Sequence, residues 1–325
     1  MTKVLGMGNA LVDVMTQLDS ESLLQKFSLP KGSMQLVDET FIEKILNETT
    51  HLKIGQSSGG SAANVIHGLA SLGVKTGFLG KVSDDEFGNF FSSDLTNNGI
   101  ESKLFQGKAR SGISMALISP DSERTFATHL GAAIELNESD LSEHVFSGYK
   151  YFHIEGYLVQ NYSLIEKAVK LAKESGLCVS LDLASYNVVE ENIDFLKNLV
   201  SQYVDIVFAN EDEAKAYTGC DPEKAVEILS LHAAIAVVKL GKKGSLIRRG
   251  NNTFRIGVVN ADCIDTTGAG DLYAAGFLYG LVNGLPLDKC GEIGSVLSGK
   301  VVEVVGAKLS RTHWTDINKL IKKIV

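Results

Sequence analysis

Cysteine and proline are scarce in this 325-residue chain, with four of each. The cysteines (Cys178, Cys220, Cys263 and Cys290) stand far apart with no CxxC pair. That excludes a zinc knuckle and a disulfide scaffold, and reduced thiols in a cytoplasmic protein are the expectation. The seven histidines show no HxxxH or HExxH spacing, so no His/Cys metal centre is expected. No apolar run reaches the ~18 residues a membrane span needs. The opening MTKVLGMGNALVDV lacks the apolar length and the small-residue cleavage site of a signal peptide. Basic runs go no further than paired KK and RR, and the formal net charge is −8. Nucleic acid and anionic membrane are therefore unsuitable partners, whereas an anionic small-molecule substrate remains open. Pro/Gly/Ser-rich linkers, repeats and low-complexity tracts are absent too, so one domain spanning 1–325 is expected.

What the chain does contain is ordinary for a large packed core: 44% hydrophobic and 22% charged residues. Short apolar runs alternate with amphipathic stretches. KVLGMGNA opens as a strand, and SAANVIHGLASLG reads as a helix stopping at Gly73, followed by the strand KTGFLGKV. DDEFGNFFSSDLTNNG is a helix with acids in its first turn. From YKYFHIEG to AIAVVKLG the same strand–helix alternation continues. This pattern predicts an α/β fold of three layers, α/β/α, around a mostly parallel sheet. Residues ~15–37 and ~101–129 break it with short alternating strands and turn residues. They are expected to form one small β-rich lid from two separate insertions.

Three glycine patterns need separating. GMGNAL after the first strand lacks the third glycine of a dinucleotide fingerprint. GLASLGVKT almost spells a Walker A loop, but Val74 separates Gly73 from Lys75 and the glycines fall within and at the end of a helix. DTTGAGD, residues 265–271, is different. It is expected to follow a strand, TFRIGVVNADCI, and to open a helix, LYAAGFLYGLVNGLP. The amides of Thr267 to Gly270 then sit at the positive end of the helix dipole, and Gly268 and Gly270 let an anion approach closely. Asp271 could be a first-turn acid that only stabilises the helix. A carboxylate beside an anion hole nevertheless repels the anion, which makes sense where it has a second task. An amide nest beside a base is what phosphoryl transfer to an alcohol requires: the base takes the hydroxyl proton while the amides stabilise the transferring phosphate.

DTTGAGD closely resembles the C-terminal signature of the ribokinase-like (PfkB-type) carbohydrate kinases. GGSAANVIHGLASLG, Gly59 to Gly73, resembles that family's N-terminal signature. NEDEA is similar to its N-x-x-E element at Asn210 and Glu213, and VVKLGKKGSLI to its nucleotide-site strand–turn–strand, with Gly241 and Gly244 in place. The resemblance covers essentially the whole chain. GNALVD, YVDIVFANEDEA and VVEVVGA are most similar to the adenosine kinase branch and its bacterial sugar-kinase neighbours.

By position, the resemblance implies a set of roles. Asp271 is the catalytic base, with Gly268, Ala269 and Gly270 presenting amides to the phosphate. Asp13 accepts two sugar hydroxyls, a task suited to the two oxygens of a carboxylate. Gly59, Gly60 and Asn64 lie against the same ring. Asn210 and Glu213 act through Mg²⁺ and its waters, in keeping with magnesium's preference for few carboxylates and many waters. Lys239, Gly241 and Gly244 belong to the nucleotide site, Lys239 standing where many relatives carry threonine. Asp265, Gly306 and Ser310 fall where many members hold a monovalent cation such as K⁺. Arg124 either reaches the transferring phosphate on closure or pairs with surface acids. Met34, Leu36 and Phe126 are candidates for contact with a base.

The expected activity is ATP- and Mg²⁺-dependent phosphorylation of a primary hydroxyl on a ribose-type substrate. Adenosine is the first choice, and a free sugar (ribose, fructose or ketodeoxygluconate) is the alternative. A non-catalytic nucleoside or sugar sensor on the same fold is the other class, which the presence of Asp271 argues against. Monomer and homodimer are both open, since a lid can leave a sheet edge for a second subunit.

Overall fold

The structure, a computed structural model, describes residues 3–121 and 123–325; Ser122, in the second expected insertion, and the first two residues of the opening stretch lie outside it. Fourteen strands form two sheets among the described residues. In chain order they are β1 (Lys3–Met7), β2 (Leu11–Gln17), β3 (Met34–Leu36), β4 (Lys53–Gly59) and β5 (Lys75–Val82). Next come β6 (Glu101–Gln106), β7 (Gly112–Ile118), β8 (Arg124–His129), β9 (Tyr151–Glu155) and β10 (Cys178–Asp182). The last four are β11 (Ile206–Asn210), β12 (Ile235–Lys239), β13 (Ser245–Arg249) and β14 (Asn252–Ile256).

The large sheet has the order β14-β13-β12-β11-β10-β9-β1-β5-β6. Its strands from β12 to β6 pair in parallel, and the β13–β14 hairpin closes one edge antiparallel. Because successive side chains point to opposite faces, neighbours along one strand enter different cores. Val4 joins a cluster beneath the helices Ser61–Ser71, Ala269–Val282 and Leu287–Val301, while Leu5 and Met7 join the cluster under Tyr162–Glu174 and Ile193–Tyr203. Phe78 and Leu79, then Phe208 and Val207, divide in the same way. Both faces of the sheet are thus covered, which is why its strands read as nearly continuous apolar runs. The three-layer α/β/α architecture follows.

The small sheet has the order β3-β8-β7-β2-β4. Its composition corrects the expected insertions. The strand in 101–129 that comes first, β6, pairs in parallel with β5 and belongs to the large sheet. The small sheet instead takes in β4, outside both insertions, which pairs antiparallel with β2. The residues 15–37 are not purely β-rich either, since Ser22–Lys26 is helical.

Candidate active site

Parallel α/β sheets bind ligands outside the carboxyl ends of their strands. Here Glu155, Asp182, Asn210 and Lys239 are the last residues of four adjacent strands, β9 to β12. All four line a cleft of about 1930 Å³ that also takes in Asp13, Gly60, Asn64 and Gly268 to Asp271.

At the base of this cleft stands the helix Ala269–Val282, with Gly268 as its N-cap. Gly268 has φ +76°, and a Cβ there would run into Ala307, so only glycine closes this turn. A Cβ at Gly270 would approach the Lys239 Nζ at 3.0 Å, which places an ammonium beside the anion nest. The expectation that a strand leads into the nest is corrected: β14 ends at Ile256, and the residues between it and Gly268 form no helix or strand.

Asp271 lies in the first helical turn, where Ser61 Oγ donates to its Oδ1 at 2.7 Å and Asn64 Nδ2 donates to its Oδ2 at 2.9 Å. Burial raises its pKa, while the bonds from Asn64 and Ser61 pull the other way. Asn64 was expected against the sugar ring; the structure brings it to the carboxylate of Asp271. Ser61, the first residue of its helix, was missed.

The paired glycines have distinct reasons. A Cβ on Gly59 would collide with the Asp13 carboxylate, and one on Gly60, at φ +95°, with the Asn9 carbonyl oxygen. Asp13 sits within β2 opposite Ser57 and Ser114. Burial pushes its pKa up to about 7; Lys308 opposes that rise and Asp271 adds to it. Glu155, also missed, accepts from Asn9 N (2.9 Å), Asn9 Nδ2 (2.8 Å) and Ala62 N (2.9 Å), tying the turn after β1 to the start of the Ser61–Ser71 helix. No sequence pattern marked it. Its carboxyl is pushed by burial to about 7, against the pull of those three bonds.

At the other end, Asn210 and Glu213 form a reciprocal capping box: Glu213 N donates to Asn210 Oδ1 at 2.8 Å, and Asn210 N donates to Glu213 Oε2 at 2.7 Å. Glu213 is buried, and burial together with Asp182 raises its pKa against the pull of Lys239. Lys239 Nζ pairs with Asp182 Oδ2 at 2.7 Å. Gly241 and Gly244 flank the turn between β12 and β13, both with positive φ, and both line the cleft.

Arg124 pairs with Asp265, a half-buried acid whose side chain is 8% exposed, rather than with a freely exposed one. Asp265 also accepts from Thr267 N (3.0 Å), Thr267 Oγ1 (2.8 Å) and Gly306 N (2.7 Å). Asp265 and Gly306 therefore meet, but through donors. Ser310 caps the helix Arg311–Ile324 and bonds with His313 instead. A carboxylate already surrounded by donors fits a monovalent cation poorly. Met34, Leu36 and Phe126 line the cleft, Met34 standing opposite Phe126 across the β3–β8 pairing.

An amide nest and a half-buried carboxylate at the open end of a parallel sheet make a phosphotransferase with an alcohol as acceptor, built on a ribokinase-like fold. The chain belongs to the pfkB family of carbohydrate kinases, whose model matches residues 35–314. It is 33% identical to the adenosine kinase of Sinorhizobium meliloti, with a TM-score of 0.87 over 98% of this chain and 99% of that one. A probable sugar kinase from Rhizobium etli is similar over 100% of both chains, at 29% identity and a TM-score of 0.88. The 5-dehydro-2-deoxygluconokinase of Geobacillus thermodenitrificans is 32% identical over 263 residues, 75% of this chain and 78% of that protein.

Proposed function

We propose that this chain transfers the γ-phosphoryl group of ATP to the primary hydroxyl of a free sugar or sugar derivative. The observation that carries the reading is the meeting of Asp271 and the Gly268–Gly270 nest in one cleft with Asp13. Asp13 accepts acceptor hydroxyls: burial, Lys308 and Asp271 govern its carboxylate, with no hydrogen bond from the described residues among the causes. Asp271 Oδ atoms take the proton of the attacking hydroxyl, held in place by Asn64 and Ser61. The amides from Gly268 to Gly270 receive charge developing on the phosphate, with the Lys239 ammonium beside them.

Family members use ATP with a divalent metal. Glu213 and Asn210 would meet a hydrated Mg²⁺ through its waters rather than directly, since both Glu213 oxygens already accept from Asn210 N and Nδ2 at 2.7 Å. Such an ion would neutralise charge on the phosphate oxygens. The small sheet, with β2 and β8 bordering the cleft, works as the lid, and the chain as a single kinase domain.

The expected preference for adenosine gives way to the free-sugar alternative. The relatives with curated activities include several 5-dehydro-2-deoxygluconokinases at about a third identity. A nucleoside acceptor is the second reading, favoured by the apolar wall of Met34, Leu36, Phe126 and Ile134 at the acceptor end. Release of ADP, measured with ATP against 5-dehydro-2-deoxygluconate, ribose, fructose and adenosine, decides between them. Highest kcat/KM on a free sugar is expected. Highest kcat/KM on adenosine transfers the assignment to the second reading, and no turnover with any acceptor at saturating Mg²⁺ leaves a sensor.

A further inference from the structure

A second cavity of about 630 Å³ is bordered by Ser57, His67, Asp94, Lys308 and Trp314. Lys308 lies on the segment between the helices Leu287–Val301 and Arg311–Ile324. Its Nζ is buried and has no hydrogen-bond partner among the described residues. A buried ammonium in that state is strongly unfavourable unless nearby charge compensates it. Three carboxylates supply that charge without touching it: Asp94, Asp13 and Asp271, in falling order of influence.

The backbone around Lys308 is tied to both the nest and the lid. Gly306 N donates to Asp265, and Ala307 packs against Gly268. A Cβ on Gly306 would stand 4.0 Å from Met15 Sδ. Met15 and Asp13 lie two apart on β2 and so share a face. Ser57, which borders the cavity with Lys308, is the register partner of Asp13.

Of the three acids, Asp94 is already served. Ser58 Oγ donates to its Oδ2, and His67 Nε2 lies 3.2 Å from the same oxygen. Because all three groups meet at one carboxylate oxygen and Ser58 is fully buried, they are no nucleophilic relay. Asp271 has Ser61 and Asn64. Asp13 alone receives no hydrogen bond from the described residues, so the charge on Lys308 is its main protein compensation.

We propose that Lys308 is a positioning residue for acceptor binding: its buried ammonium, itself bonded to nothing, favours the carboxylate form of Asp13, which can receive two acceptor hydroxyls. This rests on the reading of Asp13 as the acceptor clamp. The groups facing Asp13 are Lys308, Asp271 and, through Lys308, Asp94 and His67. His67 is neutral at pH 7, because burial holds its pKa down at about 4. Burial carries the Asp13 carboxyl to about 7, with Lys308 working against it and Asp271 working with it. Without the ammonium, Asp13 is protonated at neutral pH, and one of its two acceptors becomes a donor.

The coupling can be read without any activity. In protein labelled with carboxyl-¹³C aspartate, the Asp13 resonance is assigned by its loss in Asp13→Asn and titrated by NMR. Lys308→Met and Lys308→Gln should each move its midpoint up by about one pH unit or more, and Lys308→Arg should return it toward the parent. Either neutral variant suffices if the other fails to fold, and an unmoved midpoint in a folded neutral variant overturns the proposal. Kinetics with whichever of the four acceptors turns over should agree. The acceptor KM should rise roughly five- to tenfold at pH 7 and converge on the parent's by pH ~9, while the KM for ATP stays level. Equal rises in both KM values, with no displacement of the acceptor profile, also overturn it. If no acceptor turns over, the kinase reading fails, yet the carboxyl titration still decides the role of Lys308.

Discussion

Asn64 Nδ2 donates to Asp271 Oδ2 at 2.9 Å across 207 residues of chain. The hydrogen bond makes one device of the two signatures, the helix that begins after Gly60 and the helix that begins after Gly268. The proposed base, with both oxygens anchored by Asn64 and by Ser61, has a defined direction before any acceptor arrives.

Replacing the base itself tests the chemistry. Asp271→Asn preserves shape and removes the basic oxygen. Its kcat should fall by roughly 10²–10⁴ with little change in either KM. Turnover within threefold of the parent, measured as ADP release from folded protein at saturating Mg²⁺-ATP, would leave Asp271 as a helix-stabilising acid only.

Asn64→Ala probes the anchor through pH. Burial already lifts the Asp271 pKa and the Asn64 bond restrains it. Without Asn64 the pKa climbs further, and since the base works ionised, the acid limb of kcat should move upward by about one pH unit. The loss should therefore be greater at pH 6 than at pH 8. A higher acceptor KM with an unmoved acid limb returns Asn64 to the sugar ring alone.

Local signals were legible where they recur along the chain. The alternation from β9 to β12 could be read because each strand, buried on both faces, is apolar and each helix is amphipathic. DTTGAGD and the paired Gly59–Gly60 were legible because backbone geometry there excludes side chains. β4, KIGQSSG, was not, since it holds one β-branched residue and owes its strand form to pairing with β2 along nearly its whole length rather than to propensity. β6 has the alternating look of a lid strand because it is an edge of the large sheet, exposed where the central strands are buried. Glu155, Asp182 and Lys308 carry no motif at all. Their meaning comes from strand ends and burial, which only the fold creates.

Lys239 and Asp182 form a pair with side chains 15% and 7% exposed, and the Lys239 ammonium stands beside Gly270. Lys239→Met should raise the KM for ATP roughly tenfold and also destabilise the protein, because it strands a buried carboxylate. Adding Asp182→Asn separates the effects: the double variant should regain Tm and keep the weak ATP binding. Recovery of both in the double variant would make the pair purely structural.

Asp13 should reveal itself in stability as well as in binding. Its carboxyl titrates near 3.8 when free and at about 7 in the fold, with burial as the leading cause. Between those values the folded protein holds a proton that the unfolded chain has released, so stability falls as pH rises from about 4 to about 7 and then levels off. Asn imitates the protonated form and escapes this loss. Asp13→Asn should match the parent's Tm closely at pH 4 and exceed it by several degrees at pH 8, although losing a counter-charge to Lys308 trims the gain. The Glu155 carboxyl, also carried to about 7 by burial, tilts both proteins alike and cancels in the difference. The same variant should bind its acceptor more weakly, with the KM for ATP unchanged, since an amide offers one acceptor where the carboxylate offers two. Thermal melts of parent and variant across pH 4–8 check the sign. A gap that stays constant over that range would mean that Asp13 titrates as it does in the unfolded chain, and that neither its burial nor Lys308 governs its charge.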